Sequence, residues 1–203
     1  MIEINSEQEL RNIIGTANPM ASKKIYDFLN PRMLDFIEKS PLVMLSTVDQ
    51  FGFPTISPKG DKAGFVKVDQ QGRLLIPELR GNKLAFSLTN ILQHPQVSLF
   101  FIVPGSLETL RIHGECRLLS GELLCKKLAS DSHNALLVLE VSVKNAYFHC
   151  AKALLRSQLW QSSTWPDPIK ISFGKEIAEN SGSDDQFIKQ VDDAVAARYI
   201  TEL

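Results

Sequence analysis

Apolar positions along this chain change period twice, and the changes mark helices at the two ends around a strand-rich middle. Ser6 with Glu9 three residues on is a capping-box pattern ahead of Leu10, Ile13 and Ile14, and Gly15 is a stop, so a short first helix is predicted. Asn30 and Pro31 start a second, with Met33, Leu34 and Ile37 on one face and Pro41 ending it. Strand patterning follows. Residues 42–48 are apolar and partly β-branched, 49–52 give a turn signal and 53–57 return, which predicts a hairpin. A second hairpin is predicted for 64–68 and 73–76, joined by Asp69-Gln-Gln-Gly72.

The helical period reappears at Leu84, Ala85, Leu88, Ile91 and Leu92, an amphipathic helix that Pro95 terminates. Residues 97–103 and 109–119 are the next strands, linked by the Pro104-Gly105-Ser106 turn, and 135–148 form a long last strand region. Residues 151–159 read as helix. Beyond Trp165 the chain loosens and ends in a further helix, where Ser183 and Gln186 repeat the capping pattern and Phe187, Ile188, Val191, Ala194 and Val195 form the stripe. Six or so antiparallel strands interrupted by one strong helix predict an α+β fold, a small closed or nearly closed β-barrel with flanking helices, in one domain over 1–203. Phe86, Phe100, Phe101 and Phe148 are expected in its core.

Charge and composition narrow the function classes. Twenty-two basic and twenty-three acidic residues give a net charge of -1, so no global field draws the chain to nucleic acid or an anionic membrane surface. An anion site has to be local. The apolar runs at 97–103 and 135–143 are too short for a membrane span, and MIEINSEQEL has neither the basic start nor the apolar core of a signal peptide. Cys116, Cys125 and Cys150 are an odd number without CxxC spacing, which points to reduced thiols and a cytoplasmic location.

The densest candidate chemistry lies between residues 54 and 83. In an extended PTISPKG, Thr55, Ser57 and Lys59 share one face and Ile56 and Pro58 the other, and Pro58 marks an edge strand or a bulge. Gly81, Asn82 and Lys83, with Arg80 before them, sit where the second hairpin gives way to the amphipathic helix. Free N–H groups, the helix dipole and cationic side chains there suit a phosphate; a plain helix cap by Asn82 would use the same residues. Thr109, Arg111 and His113 make a second polar row on a strand, and an exposed charge paired with Glu108 or Glu115 would do so too.

Other chemistries find little support. The four histidines and three cysteines have no metal-ligand spacing, and His113 and Cys116, three apart on a strand, face opposite sides, so no metal site is expected. Ser57 and Ser87 lack a GxSxG elbow, and residues 60–64 lack GxxxxGK[ST]. His113 is the best-placed titratable side chain, but a lone histidine on a strand more often has a structural role, and no catalytic acid or base is nominated.

PTISPKG followed by LLIPELRGNKLAFSLTNILQHPQVSLFFIVPG and ETLRIHGECRLL resembles the FMN-binding split-barrel proteins related to pyridoxamine 5'-phosphate oxidase, in particular a bacterial flavoprotein subgroup with SPKGD, GNK and TLRxxG motifs. The resemblance covers residues 36–160 and implies a six-stranded antiparallel split barrel, a homodimer, and FMN in a groove at each subunit interface. By position it implies that Thr55, Ile56, Ser57, Pro58 and Lys59 contact the isoalloxazine and ribityl chain, that Ile76 and Pro77 line the flavin, and that Asn82 and Lys83 hold the phosphate. Asn82 stands where the family has arginine. Thr109, with Arg111 in the same motif, is implied to come from the second subunit, and Arg156 and Trp160 to close over the flavin. The oxidase's tryptophan-rich end and RLxP motif have no counterpart, so vitamin B6 oxidation is not expected. FMN supplies the redox step in such proteins, and a small-molecule substrate with NAD(P)H or oxygen would complete the reaction. The alternative on the same barrel is a protein that binds or scavenges a flavin, a deazaflavin or haem without turnover.

Overall fold

The computed structural model describes residues 1–81, 83–130 and 133–202. In chain order the elements are α1 (Glu7–Ile14), α2 (Pro31–Lys39), β1 (Leu42–Val48), β2 (Pro54–Gly60), β3 (Lys67–Val68), β4 (Leu74–Glu78), α3 (Phe86–Gln93), β5 (Gln96–Ile102), β6 (Thr109–Leu119), α4 (Glu122–Lys127), β7 (Leu137–His149), α5 (Lys152–Ser157), α6 (Phe173–Ser181) and α7 (Asp185–Thr201). Short 3-10 turns occupy Pro19–Lys24 and Ser162–Thr164.

The strands form one antiparallel sheet in the order β2-β1-β5-β6-β7-β4-β3. It holds seven strands rather than the expected six because β3 is a two-residue piece pairing only with Leu74 and Leu75. Inward side chains from five strands, Val43 and Leu45, Leu99 and Phe101, Leu110 and Ile112, Leu139 and Val141, Leu74 and Ile76, are fully buried in one cluster. A single sheet can bring near-edge β4 and near-edge β1 into one core only by curling on itself. Met33 and Ile37 of α2 join the same cluster, each 1% exposed, so α2 plugs the curled sheet.

Gly114 marks a close approach within the sheet. The β6–β7 register shifts between His113 and Gly114, and a Cβ at Gly114 would lie 2.4 Å from the Ser142 carbonyl oxygen, which only glycine avoids. At the far end of β7, α4 covers the outer face with a second cluster of Cys125, Leu128, Ala135 and Val138.

Alternation in the strands is preserved, whereas helical faces differ from expectation in two places. On α2, Leu34 is 38% exposed while its predicted stripe-mates Met33 and Ile37 are buried. On α3 the buried residues are Ser87, Asn90 and Ile91; Leu84, Phe86 and Leu92 are exposed. The reason is a polar anchor: Asn90 reaches into the sheet for two threonine hydroxyls, which turns the apolar stripe partly outward. Phe86 is therefore outside the core, whereas Phe101 is at its centre.

The region after Trp165 contains two helices, not one. A Cβ on Gly174 of α6 would lie 2.3 Å from the Ile188 carbonyl oxygen of α7, so the two helices touch backbone to backbone. Asp192 of α7 accepts from Ser172 Oγ at 2.6 Å and from the Gly174 N–H at 2.9 Å, fixing the start of α6. The α7 cap is Asp184, one residue after the predicted Ser183. Among the described residues no helix is long and apolar enough to cross a membrane.

Candidate functional site

Curling leaves a seam, because β2 ends the sheet at one side and β4 is paired by β3 only at Leu74 and Leu75. The edge position of β2 is where a strand carrying Pro58 belongs. Against this seam lies a cavity of about 480 Å³ lined by Thr55, Ser57, Lys59, Glu78, Ser87 and Asn90, together with Ile56, Pro58 and the start of α3. Thr55, Ser57 and Lys59 pair with Thr47, Leu45 and Val43, whose side chains face the interior, so the polar row looks inward.

Its floor is ordered by hydrogen bonds. Asn90 Nδ2 donates to Thr47 Oγ1 at 3.0 Å and to Thr55 Oγ1 at 3.1 Å, and the two hydroxyls are 2.8 Å apart. Asn90 is 7% exposed and Ser87 is 9% exposed, and neither Ser87 Oγ nor the Asn90 amide oxygen bonds within the described residues. Across the seam Lys59 Nζ meets Glu78 Oε2 at 2.6 Å.

A second cavity of about 610 Å³ adjoins the first and shares Glu78, Ala85 and Leu88 with it. Arg80 and Lys83 stand on its wall, and both are exposed. Here the backbone departs from the simple reading of strand passing into helix. Lys83 has φ 62° and Ala85, the cap of α3, has φ 54°, left-handed conformations that cost non-glycine residues energy. Among the described residues no side chain caps α3, and the helix starts at Phe86 rather than at Leu84. Asn82, the expected cap and phosphate ligand, lies outside the described residues.

The second polar row sits on the other face of the sheet. Arg111 and His113 line an outer cavity of about 340 Å³ with Met44, Ser46 and Phe100, and Ile56 lines both this cavity and the one at the seam. The Arg111 guanidinium lies 5.8 Å from the centroids of both Phe100 and Tyr147 and donates to the Tyr147 hydroxyl at 3.3 Å. Its partners are aromatic, not Glu108 or Glu115; Glu115 pairs with Lys144. Thr109 is 4% exposed. Within one chain, the Thr55 and Thr109 rows are thus not brought into one groove.

The remaining candidates stand apart. Ile76 is fully buried in the core, and Pro77 pairs with Val138 on β7. Arg156 is exposed and donates to the Lys152 carbonyl, and Trp160 donates from Nε1 to the Ser106 carbonyl at 2.8 Å, anchoring the segment after α5 to the β5–β6 turn. None of these lines the two seam cavities. Sequence reasoning passed over Glu78 and Asn90 and weighed Ser87 only as a hydrolase nucleophile. Alternation does place Glu78 on the face of Leu74 and Ile76, and an acid at an inward position is a signal that such a reading can use.

A separate charged cluster covers the outer side of β6. Glu140, with a side chain 5% exposed, bridges Arg73 Nη1 at 3.2 Å and Arg117 Nε at 2.5 Å. Burial, and then the Glu140 carboxylate, push the nearby Cys116 thiol up to about 12.

A family model described as pyridoxamine 5'-phosphate oxidase matches residues 29–150. No curated protein sequence matches the chain. Among similar solved structures, HupZ of Group A Streptococcus is 20% identical, with 61% of this chain and 96% of that one covered and a TM-score of 0.50. A protein from Clostridium acetobutylicum related to general stress protein 26, of the pyridoxinephosphate oxidase family, is 14% identical over 57% of this chain and 84% of its own, with a TM-score of 0.46. An F420 reductase is 18% identical over 57% and 94%, with a TM-score of 0.42. The HupZ likeness shows a shared fold, and the family model spans more than half of the 203 residues. The chain belongs to the pyridoxamine 5'-phosphate oxidase family.

Proposed function

We propose that this protein binds FMN at the seam and acts as a flavin-dependent oxidoreductase on a small molecule. The observation that carries this reading is the junction of the two cavities at Glu78, Ala85 and Leu88, with hydroxyls and an amide on one side and two cations on the other. FMN has the matching layout: a flat ring edged with hydrogen-bonding atoms, a polyol chain and a phosphate dianion. Ser57, Ser87 and the Asn90 amide oxygen suit the ring and polyol, while Lys83 and Arg80 suit the phosphate.

Bound FMN would supply hydride or electron transfer. The chain's part is to bind, orient and exclude water. The Thr47–Thr55–Asn90 bonds hold the floor in one arrangement, and Ile56, Leu84 and Phe86 present apolar surface that a flavin would cover. Arg111, on the opposite face, joins the site in this reading from a second copy of the chain, whereas Thr109 is buried within its own. The exposed Ile56 beside the outer Arg111 cavity is where such a copy would sit, giving a homodimer with FMN at the interface. Electrons would pass to or from NAD(P)H or oxygen.

A flavin-binding module without turnover is the second reading. The pairing of Lys59 with Glu78 favours it, because two groups engaged with each other are less available to move a proton. Absorption spectroscopy of protein passed over a desalting column after mixing with FMN tests the binding claim, and adding NAD(P)H separates the two readings. Retained flavin that bleaches supports the oxidoreductase; retained flavin that no donor reduces supports the module; a colourless eluate contradicts both.

A further inference from the structure

Arg111 is half-buried and makes no ion pair among the described residues. Met44, Phe100, Arg111 and Tyr147 stand directly opposite one another on β1, β5, β6 and β7, and side chains so opposed share a face of the sheet. Ser46, Ser98 and His113, two residues along each strand, form the next row on that face. Phe100 and Tyr147 therefore flank Arg111, and its guanidinium lies 5.8 Å from each ring centroid. One N–H goes to the Tyr147 hydroxyl; the rest of the fork has no acceptor among the described residues. Aromatic contact of this kind holds a guanidinium in place without neutralising it.

The cavity beside it, about 340 Å³, is at the small end of ligand sites. Phe100 lines this cavity and the guanidinium lies over its ring, so the cation stands at the cavity wall. Met44 and Ile56 add apolar surface, and Ser46 and Ser98 add hydroxyls. We propose that this cavity is a carboxylate site, in which Arg111 takes the carboxylate of a flat, apolar small acid whose body lies against Phe100, Met44 and Ile56. Two parallel N–H groups of a guanidinium match a carboxylate, and a fork already held between two rings loses little freedom on binding one. That this acid is the substrate of the flavin rests on the reading of FMN at the seam with a second copy beside Ile56. In that reading the phosphate has its own cations in Arg80 and Lys83, which leaves Arg111 to the substrate.

Isothermal titration calorimetry of the full chain with 2-naphthoate and with its uncharged analogue 2-naphthamide tests this, in wild type, Arg111→Gln and Arg111→Lys, with and without saturating FMN. A thermal melt confirms that the variants fold, and the comparison of the two probes on wild type needs no variant. Wild type is expected to bind naphthoate roughly tenfold more tightly than naphthamide. Arg111→Gln should lose roughly that factor for naphthoate and hold naphthamide within about twofold of wild type. Arg111→Lys, which keeps the charge but not the fork, should fall between. No naphthoate binding by wild type, equal affinity for the two probes, or undiminished naphthoate binding by Arg111→Gln overturns the proposal. So does a shift of Arg111→Gln to a smaller species by size exclusion, because Arg111 would then be paired with an acid of a second copy. Failure of wild type to take up FMN, with naphthoate binding still dependent on Arg111, overturns the FMN reading and the substrate role and supports the carboxylate site.

Discussion

Asn90 on α3 donates to Thr47 Oγ1 on β1 at 3.0 Å, across a sequence separation of 43 residues. With the second bond to Thr55, this amide ties the helix to both strands of the first hairpin beneath the seam cavity. Replacing it with alanine takes a donor from the buried Thr47 hydroxyl and from the half-buried Thr55 hydroxyl. Asn90→Ala is expected to destabilise the fold by about 1–3 kcal/mol. Urea denaturation checks it, and a midpoint equal to wild type would mean that the bond contributes nothing net.

The same amide shows where the sequence is hard to read. Strand alternation at Thr55, Ser57 and Lys59 is legible because a period of two leaves one arrangement per register, and Pro58 marked the edge. Helix α3 was legible in place but not in rotation: hydropathy alone puts Leu84 and Leu92 inside, whereas the hydrogen bonds of Asn90 win the buried face. The long-range pairs, Lys59 with Glu78 and Arg73 and Arg117 with Glu140, depend on how the sheet curls, which no local pattern encodes. Helix α4, six residues long, is too short to give a period, and α6 follows a proline-containing stretch that reads as loop. Membership of the family was legible from the overall resemblance of residues 36–160, most of which the family model also spans.

Thiol reactivity offers a test of the charged cluster on β6. Cys116 is 4% exposed, and burial with the Glu140 carboxylate holds its thiol at about 12, so almost no thiolate exists at neutral pH. Cys150 is exposed. Brief alkylation of the native protein near pH 8, read by peptide mass, should label Cys150 and spare Cys116. Labelling of Cys116 at a comparable rate would contradict this packing.

Acid should loosen the α6–α7 pair. The hydrogen bond from Ser172, then that from the Gly174 N–H, hold the Asp192 carboxyl below its ordinary value. A depressed folded value means the carboxylate stabilises the pair above the unfolded value of about 3.9 and the contribution is lost as pH falls through the folded one. Helicity by far-UV circular dichroism is expected to decline below about pH 4 in wild type, and Asp192→Asn to show weaker pairing already at neutral pH. Superimposable pH profiles for the two proteins would contradict the role given to Asp192.

The proposed phosphate position turns on Lys83. Lys83 is an exposed lining residue of the cavity that joins the seam at Glu78 and Ala85, and its backbone there is left-handed. The most direct measurement is a fluorescence titration of FMN into wild type and Lys83→Ala. Wild type is expected to bind saturably and the variant to lose about 1.5–3 kcal/mol, the worth of a charged hydrogen bond. Equal affinity for the two proteins, or no binding by wild type, would contradict it.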